Sequence, residues 1–393
     1  MDPDRPPSPF SPGRLGPIEL RNRIVKCGTN EGLSEGGLVT DRLVDWHREF
    51  AAGGVGMTTL AYCSVAADGR TFRDQVWMRE EALPGLARFA DAMHAEGARA
   101  AIQLGHAGWF ATPHAIGGRP LGPSRTFSPH AQRFSRAMTE SDIERLVGDF
   151  GRAAALAVRA GFDAIEVHAG HGYLLSQFLC PWNNRRDDRF GGSLENRARF
   201  PREVLRAVRD AAGSHAAVYA KFNMDDGFRG GLSCEDAIEV ARRIEADGSV
   251  DALQLTGGHT TRTPFFLMRG QVPLAEMARN QTSLVRRLAF HWFGRRIIRA
   301  YRFEEAFFLP LARRFRAALR LPLMLLGGVT RLDTMESALA EGFDFLALGR
   351  GLIRDPDLVR RLEGGIATAS RCVPCNRCVV EMDRGGTRCP MRT

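Results

Sequence analysis

Short apolar runs alternate with longer amphipathic stretches along the chain. The runs that read as strands are Arg23 to Gly28, Val55 to Leu60, Arg99 to Leu104 and Asp163 to Val167, followed by Ala217 to Phe222, Asp251 to Leu255, Leu323 to Gly327 and Phe345 to Leu348. Between them lie helical patterns over Asp41 to Ala52, Leu83 to Glu96, Ser141 to Ala160 and Leu194 to Ala212. Later ones cover Cys234 to Ala246, Glu304 to Leu319, Leu332 to Glu341 and Asp357 to Leu362. Three helix starts pair a polar cap with an acid three residues on: Thr139 with Asp142, Ser141 with Glu144, and Ser233 with Asp236. Eight strand–helix units predict an α/β fold, a closed parallel (β/α)8 TIM barrel. A doubly wound sheet would want a glycine-rich fingerprint after its first strand, and Gly28-Thr-Asn-Glu-Gly32 is not one.

Two segments are too long for barrel loops: Gly105 to Met138 after strand three, and Gly257 to Arg302 after strand six. Long insertions on this face act as lids or specificity elements. The expected organisation is an irregular segment 1–17, a barrel over 18–365 with a basic lid at 257–302, and a cysteine-rich tail at 366–393. No internal repeat beyond the strand–helix unit and no low-complexity tract is visible.

The 393 residues suffice for one large domain or two ordinary ones, and 44% hydrophobic with 25% charged residues is a globular balance. No apolar run reaches the roughly 18 residues that span a bilayer. Residues 1–12 lack the pattern of a signal peptide, so a cytoplasmic location is expected. Eight cysteines suit that compartment as thiols or metal ligands rather than disulfides. The net charge of +9 is unevenly spread: from Arg262 to Arg302 there are nine arginines against the single acid Glu276. Phe265-Phe-Leu-Met268 and Phe290-His-Trp-Phe293 interleave with them. The plain reading is an amphipathic lid with a solvated basic face. Sharper readings are docking of an acidic substrate such as an acyl-CoA, of a separate reductase, or of anionic lipid. No nucleic-acid-binding fold is evident.

Barrel chemistry sits at the carboxyl ends of strands. The candidates there are Thr29 and Asn30, Gln103, His168, Lys221, Gly327 and Gly328, and Gly349 with Arg350. The glycine pairs after the last two strands let backbone amides approach a phosphate, to which Arg350 adds charge. Lys221 at an inward strand end needs an anion; it either meets a ring cofactor or pairs with Asp225 or Glu166. Gln103 carries donor and acceptor together, enough to read a pyrimidine-like edge or merely to cap a strand end. His168 and His171, three apart on a turn, can donate to one oxygen, and Tyr173 can deliver a proton. A metal at the two histidines would need a third ligand, and Glu166 lies inside the strand.

Several separated motifs carry a family resemblance. They are Ile102-Gln-Leu-Gly-His106-Ala-Gly108, His168-Ala-Gly-His171-Gly-Tyr173-Leu, the loop Asn184-x-Arg186-x-Asp188-x-Phe190-Gly-Gly-Ser-x-Glu-Asn-Arg197, and Gly349-Arg350. The chain resembles the Old Yellow Enzyme family from about Ile18 onward. The resemblance implies a barrel holding FMN that reduces activated alkenes at the expense of NAD(P)H. It implies that His168 and His171 hold the substrate's activating oxygen, that Tyr173 protonates the α-carbon, that Gln103 reads the flavin pyrimidine, and that Gly349 and Arg350 hold the phosphate. Lys221 stands where arginine is usual, keeping the charge but losing the fork. Asn30 stands where many members carry threonine or cysteine. An oxidative dehydrogenase or demethylase resembling the amine dehydrogenases, and a non-catalytic flavin-binding electron carrier, are the alternatives. The loop from Asn184 to Arg197 reads as scaffold for the strand end.

The tail reads Cys372-Val-Pro-Cys375-Asn-Arg-Cys378, then ten residues, then Cys389. This spacing is a metal or cluster signal. It resembles the iron–sulfur branch of the same family, which includes the dienoyl-CoA reductases and trimethylamine dehydrogenase and carries a [4Fe–4S] cluster. Those chains continue into nucleotide-binding domains, whereas Thr393 follows Cys389 by four residues. Three readings stay open: a [4Fe–4S] cluster served by a separate electron-transfer reductase, a structural zinc, or free thiols.

Overall fold

The computed structural model describes residues 6–280, 287, 292, 294 and 298–392. Eight parallel strands close into a barrel. They are β1 (Ile24–Lys26), β2 (Met57–Ser64), β3 (Arg99–Gly105), β4 (Ala164–Ala169), β5 (Ala217–Asn223), β6 (Ala252–Thr256), β7 (Leu323–Leu326) and β8 (Phe345–Leu348). The last strand returns to the first, with Leu346 opposite Ile24 and Leu348 opposite Lys26. Eight helices surround them: α1 (Asp41–Ala52), α2 (Leu83–Ala95), α3 (Glu140–Arg159), α4 (Leu194–Ala212), α5 (Cys234–Asp247), α6 (Leu309–Ala318), α7 (Leu332–Ala340) and α8 (Leu358–Glu363). No helix among the described residues is long and apolar enough to cross a membrane.

The segment expected to be irregular is not so throughout. Gly13–Leu15 and Ile18–Leu20 form a hairpin, and Leu15, Ile18 and Leu20 are buried with Val25, Met57, Tyr219 and Phe345 in a cluster that fills the amino-terminal end of the barrel. Alternation over so few residues is too short to register as a strand pattern. Above this apolar plug the interior turns polar. Gln103 pairs in register with Glu166, and Lys221 lies between His168 and Gln254 on its two neighbouring strands. The barrel is thus sealed below and wettable above, which fixes the end at which a polar ligand can enter.

Three expected boundaries move, each for a local reason. Strand two runs to Ser64, past a register shift between Leu60 and Cys63, and so carries Tyr62 into the interior. Helix α6 starts at Leu309 rather than Glu304, because Ala306 has a left-handed backbone (φ 49°) and Pro310 sits in the first turn. The cap of α3 is Thr139, whose capping box with Asp142 is complete; Ser141 lies inside the helix and caps nothing. Ser233 caps α5 as expected, accepting from the Asp236 amide.

Both insertions are present. The first folds into short turns, a parallel pair Leu121–Gly122 with Arg136–Ala137, and a hairpin Phe127–Ser128 with Arg133–Phe134. In the second, Leu274–Arg279 is helical. Arg286, Arg295, Arg296, Phe290, His291 and Phe293 of the basic lid lie outside the described residues.

Candidate active site

A deep cavity with about 1370 Å³ of empty space, counted to its open mouth, occupies the carboxyl end of the barrel. Thr29, Asn30, Gln103, His168, His171, Tyr173, Lys221, Gly327, Gly328, Gly349 and Arg350 all line it. They come from six different strand ends and are brought together only by closure of the barrel. Sequence reasoning missed Cys27, Tyr62, Thr260, Phe303 and Phe307, which line the same space. Tyr62 follows an apolar run but lies within a register shift of its strand. The aromatic residues arrive on loops and carry no such signal.

The turn after β4 is shaped to aim His171. Its backbone is left-handed (φ 60°), unusual for a residue with a side chain. The Asn223 Oδ1 at the end of β5 accepts its amide hydrogen at 3.0 Å, and Thr256 Oγ1 at the end of β6 lies 2.8 Å from its Nε2. Nδ1 is then the ring nitrogen left for a ligand. The His168 and His171 rings lie 5.1 Å apart, and Tyr173 packs 4.6 Å from His168. Burial pushes His168 well below the usual imidazole range, and His171 down to about 3, with the Lys221 charge acting the same way. Both rings are therefore neutral at pH 7. Burial raises the Tyr173 hydroxyl far above the ordinary tyrosine value. The site offers neutral donors, not acids already ionised.

Lys221 pairs with Glu166 at 3.2 Å, both fully buried, and also donates to the Gly28 carbonyl at 3.2 Å. Asp225 is not its partner. An ammonium has three donors, so one remains for the cavity. Glu166 also accepts from Gln103 Nε2 at 3.0 Å and Gln254 Nε2 at 2.5 Å. With one amide hydrogen spent on Glu166, Gln103 lines the cavity with an acceptor oxygen and a second N–H. Two buried polar atoms at the cavity wall, His168 Nδ1 and Thr260 Oγ1, have no protein partner. Gly327 and Gly328 have positive φ (115° and 80°), and a Cβ on either would meet Phe308 or Phe307 at 2.5 Å. Their amides can approach a phosphate because nothing larger fits. Orphaned donors, a spare ammonium proton and a glycine cradle fit an anionic, ring-bearing cofactor.

The loop after this turn is scaffold. Asn184 Nδ2 ties the Phe178 and Phe190 carbonyls at 2.8 Å each. Arg186 donates to the Pro123 and Met138 carbonyls at 2.9 and 2.6 Å, pinning the excursion after β3.

Cys372, Cys375, Cys378 and Cys389 line one smaller cavity of about 360 Å³ of empty space, beside Arg350. Cys372 and Cys378 also line the main cavity. Among the described residues no group of three or more His, Cys, Asp or Glu is drawn in as the ligands of a single metal ion. Asn376, in a left-handed turn between the cysteines, accepts from Arg350 at 2.5 Å and donates to the Met268 and Gln271 carbonyls at 2.6 and 2.8 Å. Thr387 bonds to the Asn30 and Glu31 carbonyls at 2.6 and 2.7 Å. The tail therefore braces both the β1 loop and Arg350.

A barrel whose strand ends converge on such a cavity is an enzyme built around a phosphorylated cofactor. The chain belongs to the NADH:flavin oxidoreductase / NADH oxidase family, whose sequence model matches residues 8–259. It is an oxidoreductase, with FMN as cofactor and NAD(P)H as reductant. It is 50% identical over 386 residues to the 4,4'-dithiodibutanoate disulfide reductase of Rhodococcus erythropolis, covering 98% of this chain and 95% of that protein. It is 32% identical over 376 residues to an NADH oxidase of Thermoanaerobacter brockii, covering 94% of this chain and 53% of that protein. The structure of 2-naphthoyl-CoA reductase with 2-naphthoyl-CoA superposes with a TM-score of 0.83 at 27% identity, over 98% of this chain and 57% of that one. The chain thus spans a little over half the length of two of these relatives and nearly all of the third.

Asn376 gives the tail a measurable role. Asn376→Ala removes three hydrogen bonds and should raise the Kd for FMN about tenfold while speeding tryptic cleavage after Arg377. Wild-type cleavage rates and FMN affinity in the variant would show that the tail does not brace the site.

Proposed function

We propose that the protein reduces C=C bonds activated by a neighbouring carbonyl, of enone or enoyl type, with hydride derived from NAD(P)H. The convergence of His168, His171 and Tyr173 on one wall of the cavity, beside Lys221 and Gln103, carries this reading. FMN, when bound, supplies the hydride to the β-carbon. His168 and His171, both neutral, donate N–H to the carbonyl oxygen, where negative charge grows. Tyr173 delivers the proton to the α-carbon, and its raised pKa keeps it protonated until needed. Gln103 accepts from an imide N–H, Lys221 places positive charge at the pyrimidine edge, and Gly327, Gly328, Gly349 and Arg350 hold the phosphate. Cys372, Cys375, Cys378 and Cys389 would be the ligands of a [4Fe–4S] cluster, whose chemistry would be one-electron exchange with a separate reductase. An acyl-CoA substrate is consistent with the ligand named for the 2-naphthoyl-CoA reductase structure.

A second reading is favoured by one observation, the 50% identity to a protein named as a disulfide reductase. Reducing a disulfide takes two electrons and two protons to give two thiols, and Tyr173 would supply one proton to the departing sulfur.

Anaerobically purified protein, reduced with NADH or NADPH, decides between them when mixed with 2-cyclohexenone and with 4,4'-dithiodibutanoate. Faster reoxidation by the enone is expected, and reoxidation by the disulfide alone would install the second reading. The enone rate should stay flat from pH 7 to 10, because Tyr173 remains protonated above the ordinary tyrosine pKa of about 10. A loss centred near pH 10 would mean that the donor titrates at the ordinary tyrosine value and that burial does not hold the Tyr173 proton.

A further inference from the structure

We propose that the groove between the excursion after β3 and the loop after β6 is a nucleotide subsite, taking the adenosine phosphate end of a ligand whose reactive end lies in the main cavity. The groove holds about 840 Å³ of empty space. Its walls are aromatic. Trp182 forms one side, backed by the buried Trp109 with ring centroids 5.4 Å apart. Phe127 and Phe134, opposite each other across the hairpin, form another. These two rings remain 48% and 45% exposed, apolar surface left open to the groove.

Its rim is cationic. Arg125, Arg185 and Arg262 line it, and none has a carboxylate partner among the described residues. Several arginines elsewhere are spent on carboxylates, as Arg136 is with Asp142, Arg145 with Asp68 and Arg202 with Asp247. Two of the three are instead held over rings, Arg262 at 5.0 Å from Trp182 and Arg125 at 4.8 Å from Phe134. Stacking fixes each guanidinium in place yet leaves its N–H fork free. Flat rings with unspent guanidinium forks match a purine that carries phosphate: the base stacks and the phosphate takes the forks. A simple aromatic anion would use the same chemistry with fewer contacts.

The groove and the cavity are neighbours. Thr261 lines the groove and Thr260 lines the cavity. Trp109 lines the groove, while the ring of Phe110 lies 5.8 Å from that of Tyr173. A ligand with a flexible diphosphate between its two ends can occupy both. NADPH and an acyl-CoA share that design, so the chemistry has two sources. The inference rests on the proposed function only for what lies in the cavity; the subsite itself is testable without turnover.

The FMN-loaded protein is titrated by calorimetry with adenosine 2′,5′-bisphosphate, the end group of NADPH, and adenosine 3′,5′-bisphosphate, the end group of CoA. One isomer is expected to bind, and to lose about tenfold in affinity in the Arg125→Ala/Arg262→Ala variant. Both side chains are exposed, and an unchanged melting temperature verifies the fold. If the 2′,5′ isomer binds, the ratio of KM for NADPH to KM for reduced nicotinamide mononucleotide rises in the variant. If the 3′,5′ isomer binds, the ratio of KM for an acyl-CoA to KM for its N-acetylcysteamine thioester rises. Failure of both isomers to bind, equal binding by wild type and variant, or tighter binding of benzoate than of either isomer overturns the subsite. Intact nucleotide binding without any alkene turnover would support the subsite and count against the proposed function instead.

Discussion

Tyr173→Phe should slow reoxidation of the reduced enzyme by an enone about 10²–10³-fold while leaving flavin reduction by NAD(P)H within about twofold. The substitution removes one oxygen and keeps the ring that packs against His168, Tyr62 and Phe110. The hydroxyl is needed only where a carbon must be protonated, so the two half-reactions separate. Stopped-flow measurement of each half-reaction is the check. Equal losses in both would mean that Tyr173 shapes the cavity rather than supplying a proton.

Glu166→Gln should destabilise the fold by about 3–5 kcal/mol, read as a lower denaturation midpoint. The carboxylate is fully buried and is, among the described residues, the only one paired with Lys221. Removing it strands a buried ammonium and sets an amide N–H₂ against the donors of Gln103 and Gln254. Removing both charges should hurt less than the sum: Glu166→Gln/Lys221→Gln is expected to recover about 2 kcal/mol relative to additivity. Strict additivity in that cycle would mean that the pair contributes no coupling.

Much of this arrangement was legible in the chain because a parallel barrel puts its chemistry at strand ends. Once Gln103, His168 and Lys221 were placed at the ends of apolar runs, a common cavity followed from topology. Tyr62 escaped because the run before it breaks register within the strand, and a bulge has no signature in an alternation pattern. The partner of Lys221 could be narrowed to two acids but not chosen, since Asp225 is nearer in sequence and Glu166 nearer in space. Asn376 was passed over as spacing between cysteines. Its three bonds reach residues 26 to 108 positions away, and no local pattern encodes such distances. The helix expected from Glu304 shows the converse error, periodicity read through a proline that restarts the helix.

The bracing of the cavity by the tail has a consequence for biosynthesis. A ribosome that has translated Leu348 has supplied every strand of the barrel, and domains take shape from the amino terminus as they emerge. Asn376 and Thr387, which hold Arg350 and the β1 loop, are not yet made. A barrel closed without them has an unbraced pocket, so firm cofactor capture should wait for the tail. A message cut short after the eighth strand would yield a folded shell that holds its flavin poorly.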